Sequence, residues 1–300
     1  MIFAQAAAAE PAVKTVLFNL VDWSIVHFEV SAGSPLYYLI YVLGLLGCIV
    51  IPYLLGSINP AILISRLVYH EDIRDFGSGN AGTTNMLRTY GKKAALATFL
   101  LDLGKAALAC FAGLLIWEMN GLGLAGFFVV FGHMYPIFEK FRGGKGVACL
   151  TVVALITSIF TNNWLVPFVP FAFFILLAAF VLVLVGTRYV SMASVTCAFL
   201  YPILLRSLSG ENAGICVAMA VLSACFVIYK HKDNLKRIFN RTEAQFSFSK
   251  ISKKKLAEGE QQASEGKSKP APGGKHAGNA KNNRKATPDS DRDGGAEDGQ

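Results

Sequence analysis

Long apolar runs recur along most of this sequence, and they restrict the fold more than any other feature. A run of roughly 18 or more apolar residues is long enough to cross a bilayer as a helix. Hydrophobic residues make up 53% of the chain and charged residues only 16%, against roughly 25% charged in ordinary globular proteins. The sequence therefore predicts an all-α integral membrane protein with about seven transmembrane helices, instead of a soluble enzyme or a disordered regulator. The runs are 36–58, 94–117, 121–138, 145–161, 164–186, 190–207 and 213–230.

Lys and Arg collect in alternate connections between these runs. The first, third and fifth connections and the segment after the seventh run are basic, whereas the intervening connections carry almost no basic residues. Since basic loops stay on the cytoplasmic side, we expect the N-terminus outside and the C-terminus in the cytoplasm. The short apolar piece Pro60–Val68 is predicted to be re-entrant or interfacial on that side. We interpret the net charge of +8 through this asymmetry and expect no nucleic-acid partner.

The two ends differ in composition from the body of the chain. Residues 1–35 form a predicted N-terminal extension without the basic start of a signal peptide, and 36–247 form the membrane domain. Residues 248–300 are rich in Lys, Gly, Ser, Asn and Asp. Such a composition buries too little apolar surface to fold, so we expect a disordered basic and polar tail.

The first cytoplasmic connection contains a glycine-rich segment, 77–88. Glycines at 77, 79 and 82 let backbone amides point into a common hollow, which favours an anion-binding nest. Polar neighbours and an arginine add donors for a phosphate. The candidate binding residues of this segment are Gly77, Ser78, Gly79, Asn80, Gly82, Thr84, Asn85 and Arg88.

A second glycine-rich segment joins the third and fourth runs. The motif Gly-His-x-x-Pro at 132–136 is followed by Gly143, Gly144, Lys145 and Gly146. A lysine among glycines at a helix N-terminus brings together free amides, the positive end of the helix dipole and an ammonium group. This pattern predicts a second phosphate site.

Three further polar positions flank the last two runs. Ser191 opens the sixth run, and His231 and Asn234 follow the seventh at a spacing that places both on one face of a continuing helix. Asp102 and Lys105 lie within the second run, where an unpaired charge is expensive. A mutual ion pair and a role near the site are both open for that pair. No metal-ligand spacing or dinucleotide fingerprint is present, so no metal or cofactor is predicted.

Taken together, these motifs resemble the PlsY-type, acyl-phosphate-dependent glycerol-3-phosphate acyltransferases of bacterial phospholipid biosynthesis. The resemblance spans roughly residues 36–243 and includes Glu243 after the third motif. It implies acyl transfer from acyl phosphate to the 1-hydroxyl of sn-glycerol 3-phosphate, giving lysophosphatidate and inorganic phosphate. It also implies a multi-pass protein of the bacterial inner membrane whose active site faces the cytoplasm, with the bilayer as its surroundings. Oligomeric state is not indicated.

Residue roles follow from the resemblance by motif. Ser78, Thr84 and Arg88 are expected to hold and polarise the acyl phosphate, and Lys145 with its glycine loop to bind glycerol 3-phosphate. The pocket is completed by Ser191, His231 and Asn234, while Glu243 has a structural role. An acyl phosphate carries a good leaving group, so positioning and oxyanion stabilisation should suffice. The proton acceptor is either the leaving phosphate or His231.

Two other interpretations fit parts of the sequence. His70 and Asp75 spell His-x-x-x-x-Asp, the signature of glycerolipid acyltransferases that commonly use thioester donors, but the other motifs of those enzymes are missing. A carrier for an organic phosphate would also have several spans and basic loops. A carrier needs a site near the bilayer midplane, whereas these polar residues concentrate at one face.

Overall fold

The computed structural model describes residues 20–161, 170–209 and 213–246. Within those ranges the chain forms ten α-helices and two short 3-10 turns and contains no strand, which confirms the all-helical prediction for this part. The predicted tail 248–300 and the start of the predicted N-terminal extension lie outside the described residues. In chain order the helices are α1 Leu20–His27, α2 Pro35–Ser57, α3 Pro60–Val68, α4 Thr83–Thr89, α5 Lys92–Met134, α6 Val147–Thr161, α7 Phe171–Thr187, α8 Val190–Leu208, α9 Gly214–Lys230 and α10 Lys232–Phe239.

The second and third apolar runs form one element, α5, that turns back on itself. Trp117 and Glu118 have non-helical backbone angles, and they separate arms at 92–116 and 119–134. Gly113 and Gly121 pack so closely that a Cβ on either would overlap the backbone of the other. Residues eight apart in a straight helix would be separated by about 12 Å, so α5 is a helical hairpin. The second arm ends at Met134, earlier than the predicted 138, because Pro136 follows.

Apolar side chains cover much of the outer surface of this fold. Leu182 and Val185 on α7, for example, are 76% and 62% exposed. Exposed apolar surface of this kind is typical of proteins that lie in lipid. By length and composition three described helical stretches could cross a membrane, and the bent pair Gly214–Lys230 with Lys232–Phe239 would make a fourth. The three are Pro35–Val68, Lys92–Glu139 and Val190–Leu208.

Small residues allow the central helices to approach each other closely. Gly56 on α2 lies against the backbone of Val129, and Gly132 on the second arm of α5 lies against the backbone of Tyr53. Close backbone contact through glycine is a common way to pack helices in membranes. The main buried core is formed by α5, α6, α8 and α9, with α7 packed on α8.

A second, smaller buried cluster lies beneath the first glycine-rich segment. It joins α3, the 3-10 turn at Ile73–Asp75, α4 and the start of α5. Asn59 caps α3 by accepting from the amide of Ile62 and also donates to the carbonyl of Ala81. This cluster fixes the segment against the helices that carry the other polar motifs.

Candidate active site

The first glycine-rich segment folds around the side chain of Asn85. The Asn85 Oδ1 atom accepts from the amide of Ser78 at 2.9 Å, and its Nδ2 atom donates to the carbonyls of Ile73 and Phe76. Asn85 is almost completely buried. Its polar atoms therefore hold the loop together. Asn85 also lines the cavity described below, so its contact with substrate stays a prediction.

The expected backbone nest is also changed by this folding. Gly77 and Gly79 have φ values of +60° and +69°, so glycine is needed for the turn itself. The amide of Gly79 donates to Phe76 and that of Gly82 to Asn80. The amides of Gly79 and Gly82 therefore already have partners, and neither Gly77 nor Gly79 is among the residues that line the cavity described below.

The segment contributes several polar residues to the candidate site. Ser78, Asn80, Thr84 and Arg88 all line one cavity. The Arg88 guanidinium is exposed, and within the described part of the chain it forms no ion pair or hydrogen bond. A fixed cation without a counter-charge is suited to an anionic ligand.

The second glycine-rich segment packs against the end of α5. The amides of Gly143 and Gly144 donate to the carbonyls of Met134 and His133, at 3.3 and 3.1 Å. A Cβ at Gly144 would overlap the His133 ring. The expectation that Gly143 and Gly144 offer free amides is therefore wrong, since both are needed for close packing. Lys145 and Gly146 line the cavity as expected.

Lys145 begins a chain of hydrogen bonds that joins the second and third motifs. Its Nζ atom donates to Asn234 Oδ1 at 2.5 Å, and Asn234 Nδ2 donates to Glu243 Oε1 at 2.6 Å. Ser191 Oγ donates to that same Glu243 oxygen at 2.9 Å, while Arg237 binds the other at 2.7 Å. Glu243 thus has the structural role that was expected, holding Ser191 and Asn234 beside the lysine.

The environment of Lys145 changes its acidity. Burial lowers the pKa of Lys145 from the ordinary 10.5 to about 8, because desolvation disfavours the ammonium form. Its hydrogen-bond partner is the neutral amide of Asn234. Lys145 is therefore a partly buried cation that makes no direct contact with a carboxylate of residues 20–161, 170–209 or 213–246.

His231 lies at the junction of α9 and α10 and is 2% exposed. Its Nδ1 atom lies 2.8 Å from the carbonyl of Val227. A carbonyl can only accept, so Nδ1 carries the hydrogen and Nε2 of the neutral ring is an acceptor. His231 and Asn234 both line the cavity, although the helix does not continue as predicted but is broken at His231 and bends by 50°.

A buried ionic cluster lies beside these residues. Asp102 Oδ1 lies 2.8 Å from Lys105 Nζ and 3.1 Å from His133 Nδ1. Lys105 also donates to the carbonyls of Gly56 and Ile58 at the end of α2. The ion pair left open by the sequence is present, and the cluster connects both arms of α5 to α2.

Three side chains at this cluster are of the types that bind metal ions. Ligand atoms of Asp102, His133 and Cys149 lie within 4.8 Å of one another. The Lys105 ammonium, however, lies within 3.0 Å of the His133 nitrogen and shares the Asp102 oxygen. A second cation there would be repelled by that ammonium, so we assign this donor set to the ion pair.

One cavity of about 440 Å³ connects these groups. The sequence suggested two adjoining anion pockets, whereas the structure gives one continuous space. Its polar part lies at the starts of α4, α6 and α8, and its apolar part runs between α6, α7 and α8. The predicted residues that line it are Ser78, Asn80, Gly82, Thr84, Asn85, Arg88, Lys145, Gly146, Ser191, His231 and Asn234.

Some lining residues were not assigned from the sequence. His133 lies in the quoted Gly-His-x-x-Pro motif, and that motif was the available signal. The apolar wall, which includes Leu176 and Phe180, could not be separated from ordinary lipid-facing residues. His70 and Asp75 of the alternative signature are exposed and do not line the cavity.

The chain is similar to known acyltransferases in sequence. The family model described as glycerol-3-phosphate acyltransferase matches residues 46–241. A protein named glycerol-3-phosphate acyltransferase from Bacillus cereus (strain G9842) is 41% identical over 207 residues, covering 68% of this chain and 96% of the relative. One of the same name from Thermoanaerobacter sp. (strain X514) is 38% identical over 196 residues, covering 65% and 92%.

Similarity extends to solved structures. A crystal structure of PlsY, described as an integral membrane glycerol 3-phosphate acyltransferase in its glycerol 3-phosphate form, superposes with a TM-score of 0.59 at 30% identity. The match covers 69% of this chain and 98% of that chain. The lysophosphatidic acid form gives a TM-score of 0.58 at 28% identity, covering 68% and 95%.

Proposed function

This chain belongs to the glycerol-3-phosphate acyltransferase family, and we propose that it transfers an acyl group from acyl phosphate to the 1-hydroxyl of sn-glycerol 3-phosphate. The products are 1-acyl-sn-glycerol 3-phosphate and inorganic phosphate. Family membership establishes an acyltransferase of phospholipid biosynthesis in an integral membrane fold. The acyl phosphate donor and the residue roles are our proposal.

One observation carries this proposal: a single cavity has two cations at its polar end and an apolar wall along its length. Arg88 and Lys145 supply the cations, and Leu176, Phe180 and Ala198 belong to the wall. A donor with a phosphate head and a hydrocarbon tail matches both parts. The glycerol 3-phosphate and lysophosphatidic acid forms of the PlsY structure support ligands of the same two kinds here.

We assign the two phosphates to the two cations. Arg88, with the hydroxyls of Ser78 and Thr84, holds the phosphate of the donor, because all three side chains reach the cavity from one segment. Lys145 binds glycerol 3-phosphate, with Asn234 and Ser191 held beside it by Glu243. Opposed phosphates held in this way bring the acceptor hydroxyl towards the acyl carbonyl, which is the main catalytic demand.

The reaction is then a direct displacement. The 1-hydroxyl oxygen attacks the acyl carbonyl carbon, the bond from that carbon to the phosphate oxygen breaks, and the proton passes to the leaving phosphate. Arg88 stabilises the charge that develops on the phosphate as the bond breaks. In the described residues no serine or cysteine side chain hydrogen-bonds a histidine, so the activated nucleophile of an acyl-enzyme mechanism is not formed there.

His231 contributes by orienting the acceptor. Its Nδ1 hydrogen is held by the Val227 carbonyl, so its Nε2 lone pair can accept a hydrogen bond from a glycerol hydroxyl. Replacement of His231 by Gln, which keeps an acceptor, separates this role from proton removal. Retention of most of the turnover number fits orientation, and loss of pH dependence together with turnover fits a general base.

The membrane arrangement is a further part of the proposal. The two arms of α5 run antiparallel to each other. Together with α2, α6, α7, α8 and α9 they make seven proposed crossings of the bacterial inner membrane. Because basic connections stay on the cytoplasmic side, we propose that the N-terminus is outside and that the C-terminus and the cavity mouth face the cytoplasm. The short helix α3 and the segments around it then form the interfacial layer on that side.

A donor assay tests the proposal directly. The protein is purified in detergent and given acyl phosphate or acyl-CoA of the same chain, each with and without glycerol 3-phosphate. We expect phosphate release from acyl phosphate only when glycerol 3-phosphate is added, with lysophosphatidate as the lipid product. Transfer from acyl-CoA at a comparable rate, or phosphate release without the acceptor, would contradict it.

A further inference from the structure

We propose that Tyr201 is the residue that limits the length of the acyl chain, because it closes the apolar end of the cavity. This inference rests on the acyltransferase function proposed above and deepens it by naming a specificity determinant. It concerns the far end of the cavity, away from the motifs that bind phosphate.

One face of α8 lines the cavity from its mouth to its end. Ser191, Ser194, Ala198 and Tyr201 occur at successive turns of that face and all contact the same space. Ser191 belongs to the polar end through its hydrogen bond to Glu243. At 1.5 Å per residue, Tyr201 lies about 15 Å further along the helix. This length is available to a hydrocarbon tail.

The other two walls end at the same level. On α6 the last cavity residue is Ala154, and on α7, which runs in the opposite direction, it is Phe173. Ser158, one turn after Ala154 on α6, and Ala172, the residue next to Phe173 on α7, line a separate small void. On α8, Tyr201 is the last residue that lines the cavity, and Leu205, one turn later, lines the void. The Tyr201 ring therefore lies where the cavity ends, which is where a longer tail would meet it.

The Tyr201 ring is held in place by a buried hydrogen bond. Its hydroxyl lies 2.9 Å from Thr157 Oγ1, and Thr157 itself donates to the carbonyl of Val153 at 2.7 Å. Because Thr157 has a single hydroxyl hydrogen, Tyr201 is the donor of the pair. Both residues are nearly completely buried. Swinging the ring aside would leave a buried donor without a partner, which opposes such a movement.

A tail could instead leave the cavity sideways into the bilayer. Leu177 of α7 lines the cavity and is also 48% exposed, so this side of the wall is thin. If tails left there, chain length would not be sensed by Tyr201. The two possibilities differ in what a change at Tyr201 does to chain-length preference.

The experiment measures kcat/KM for a series of saturated acyl phosphates of increasing chain length with the full-length protein in detergent. For Tyr201→Ala we expect the preferred length to increase, with a gain of about tenfold or more for the first chain that the unmodified protein uses poorly. For Ala198→Leu, which adds bulk nearer the mouth, we expect a shift to shorter chains. Tyr201→Phe keeps the ring and should keep the limit.

Matched controls separate this inference from the proposed function. Tyr229→Ala alters a tyrosine that is 55% exposed and does not line the cavity, and its chain-length profile should match that of the unmodified protein. If Tyr201→Ala does not fold, Ala198→Leu alone decides. An unchanged profile in the folded variants, with acyl phosphate still consumed, overturns the role of Tyr201 only. Failure of the unmodified protein to use any acyl phosphate overturns the proposed function.

Discussion

Two lysines beside the same cavity have contrasting surroundings. Lys105 contacts the carboxylate of Asp102 at 2.8 Å and two backbone carbonyls, so its charge is fully matched by the protein. Among the described residues, Lys145 hydrogen-bonds the neutral oxygen of Asn234 and no carboxylate. The comparison teaches that a matched charge fixes helices to each other, whereas an unmatched one remains available to an anion from outside.

The hydrogen bonds of Glu243 explain why it does not pair with Lys145. It is the carboxylate of the hydrogen-bond chain that includes Lys145, yet Ser191, Asn234 and Arg237 already use its oxygens. Although burial opposes ionisation, those hydrogen bonds keep the pKa of Glu243 below its usual value. Glu243 therefore stays charged and positions Asn234 without pairing directly with Lys145.

The largest expected effect is the loss of stability when Lys105, whose charge is matched by Asp102, is replaced. Replacing Lys105 by Met leaves the Asp102 carboxylate buried without its ammonium partner, which typically costs about 3–5 kcal/mol. We expect a clear fall in the thermal midpoint of the detergent-purified protein. Lys93→Met changes an exposed lysine of the same helix and should leave the midpoint nearly unchanged. Equal midpoints of thermal unfolding for both variants would show that Lys105 does not stabilise the fold.

The next effect concerns binding at the unmatched lysine. Replacing Lys145 by Ala removes a charge-assisted hydrogen bond worth roughly 1.5–3 kcal/mol, so KM for glycerol 3-phosphate should rise about 10- to 100-fold. The thermal midpoint should hardly change, because no buried carboxylate loses its only partner. Steady-state kinetics at a fixed acyl phosphate concentration provide the measurement. An unaltered KM would contradict the assignment of Lys145.

A smaller effect is expected from pH. With its pKa at about 8, Lys145 is charged below that pH and becomes neutral as pH rises through it. Hence kcat/KM for glycerol 3-phosphate should be highest below about pH 8 and fall above it, approaching tenfold per pH unit. Lys145→Arg should extend the plateau, since arginine stays charged. A profile that falls identically in this variant would assign the titration to another group.

The smallest expected effect comes from removing the negative charge of Glu243, which favours the charged form of Lys145. Glu243 favours the charged form of Lys145, so Glu243→Gln should move the alkaline fall in kcat/KM to lower pH by less than about one unit. Glu71→Gln, at an exposed carboxylate that hydrogen-bonds Tyr90, is the matched control. A shift of the same size in both variants would indicate a general charge effect.

Much of the fold followed from local sequence. The apolar run predicted at 190–207 is helix α8 at Val190–Leu208, and the short piece Pro60–Val68 is helix α3 with the predicted bounds. Each depends on the hydropathy of neighbouring residues and on proline positions, which are visible in the chain. The site was predicted less completely: Lys145, His231 and Asn234 line one cavity, but the hydrogen bonds by which Asn85 holds its own loop were not foreseen.

The sequence by itself determined that this chain is helical and apolar over most of its length and that its motifs carry groups of the kinds that bind anions. Only the tertiary structure decided which of those groups remain free. Whether the amide of Gly144 or the ammonium of Lys105 has a partner depends on atoms from distant parts of the chain, such as the His133 carbonyl for Gly144 and the Gly56 and Ile58 carbonyls for Lys105. Hydropathy is a property of a residue and its neighbours, whereas hydrogen-bond saturation is a property of the packed fold.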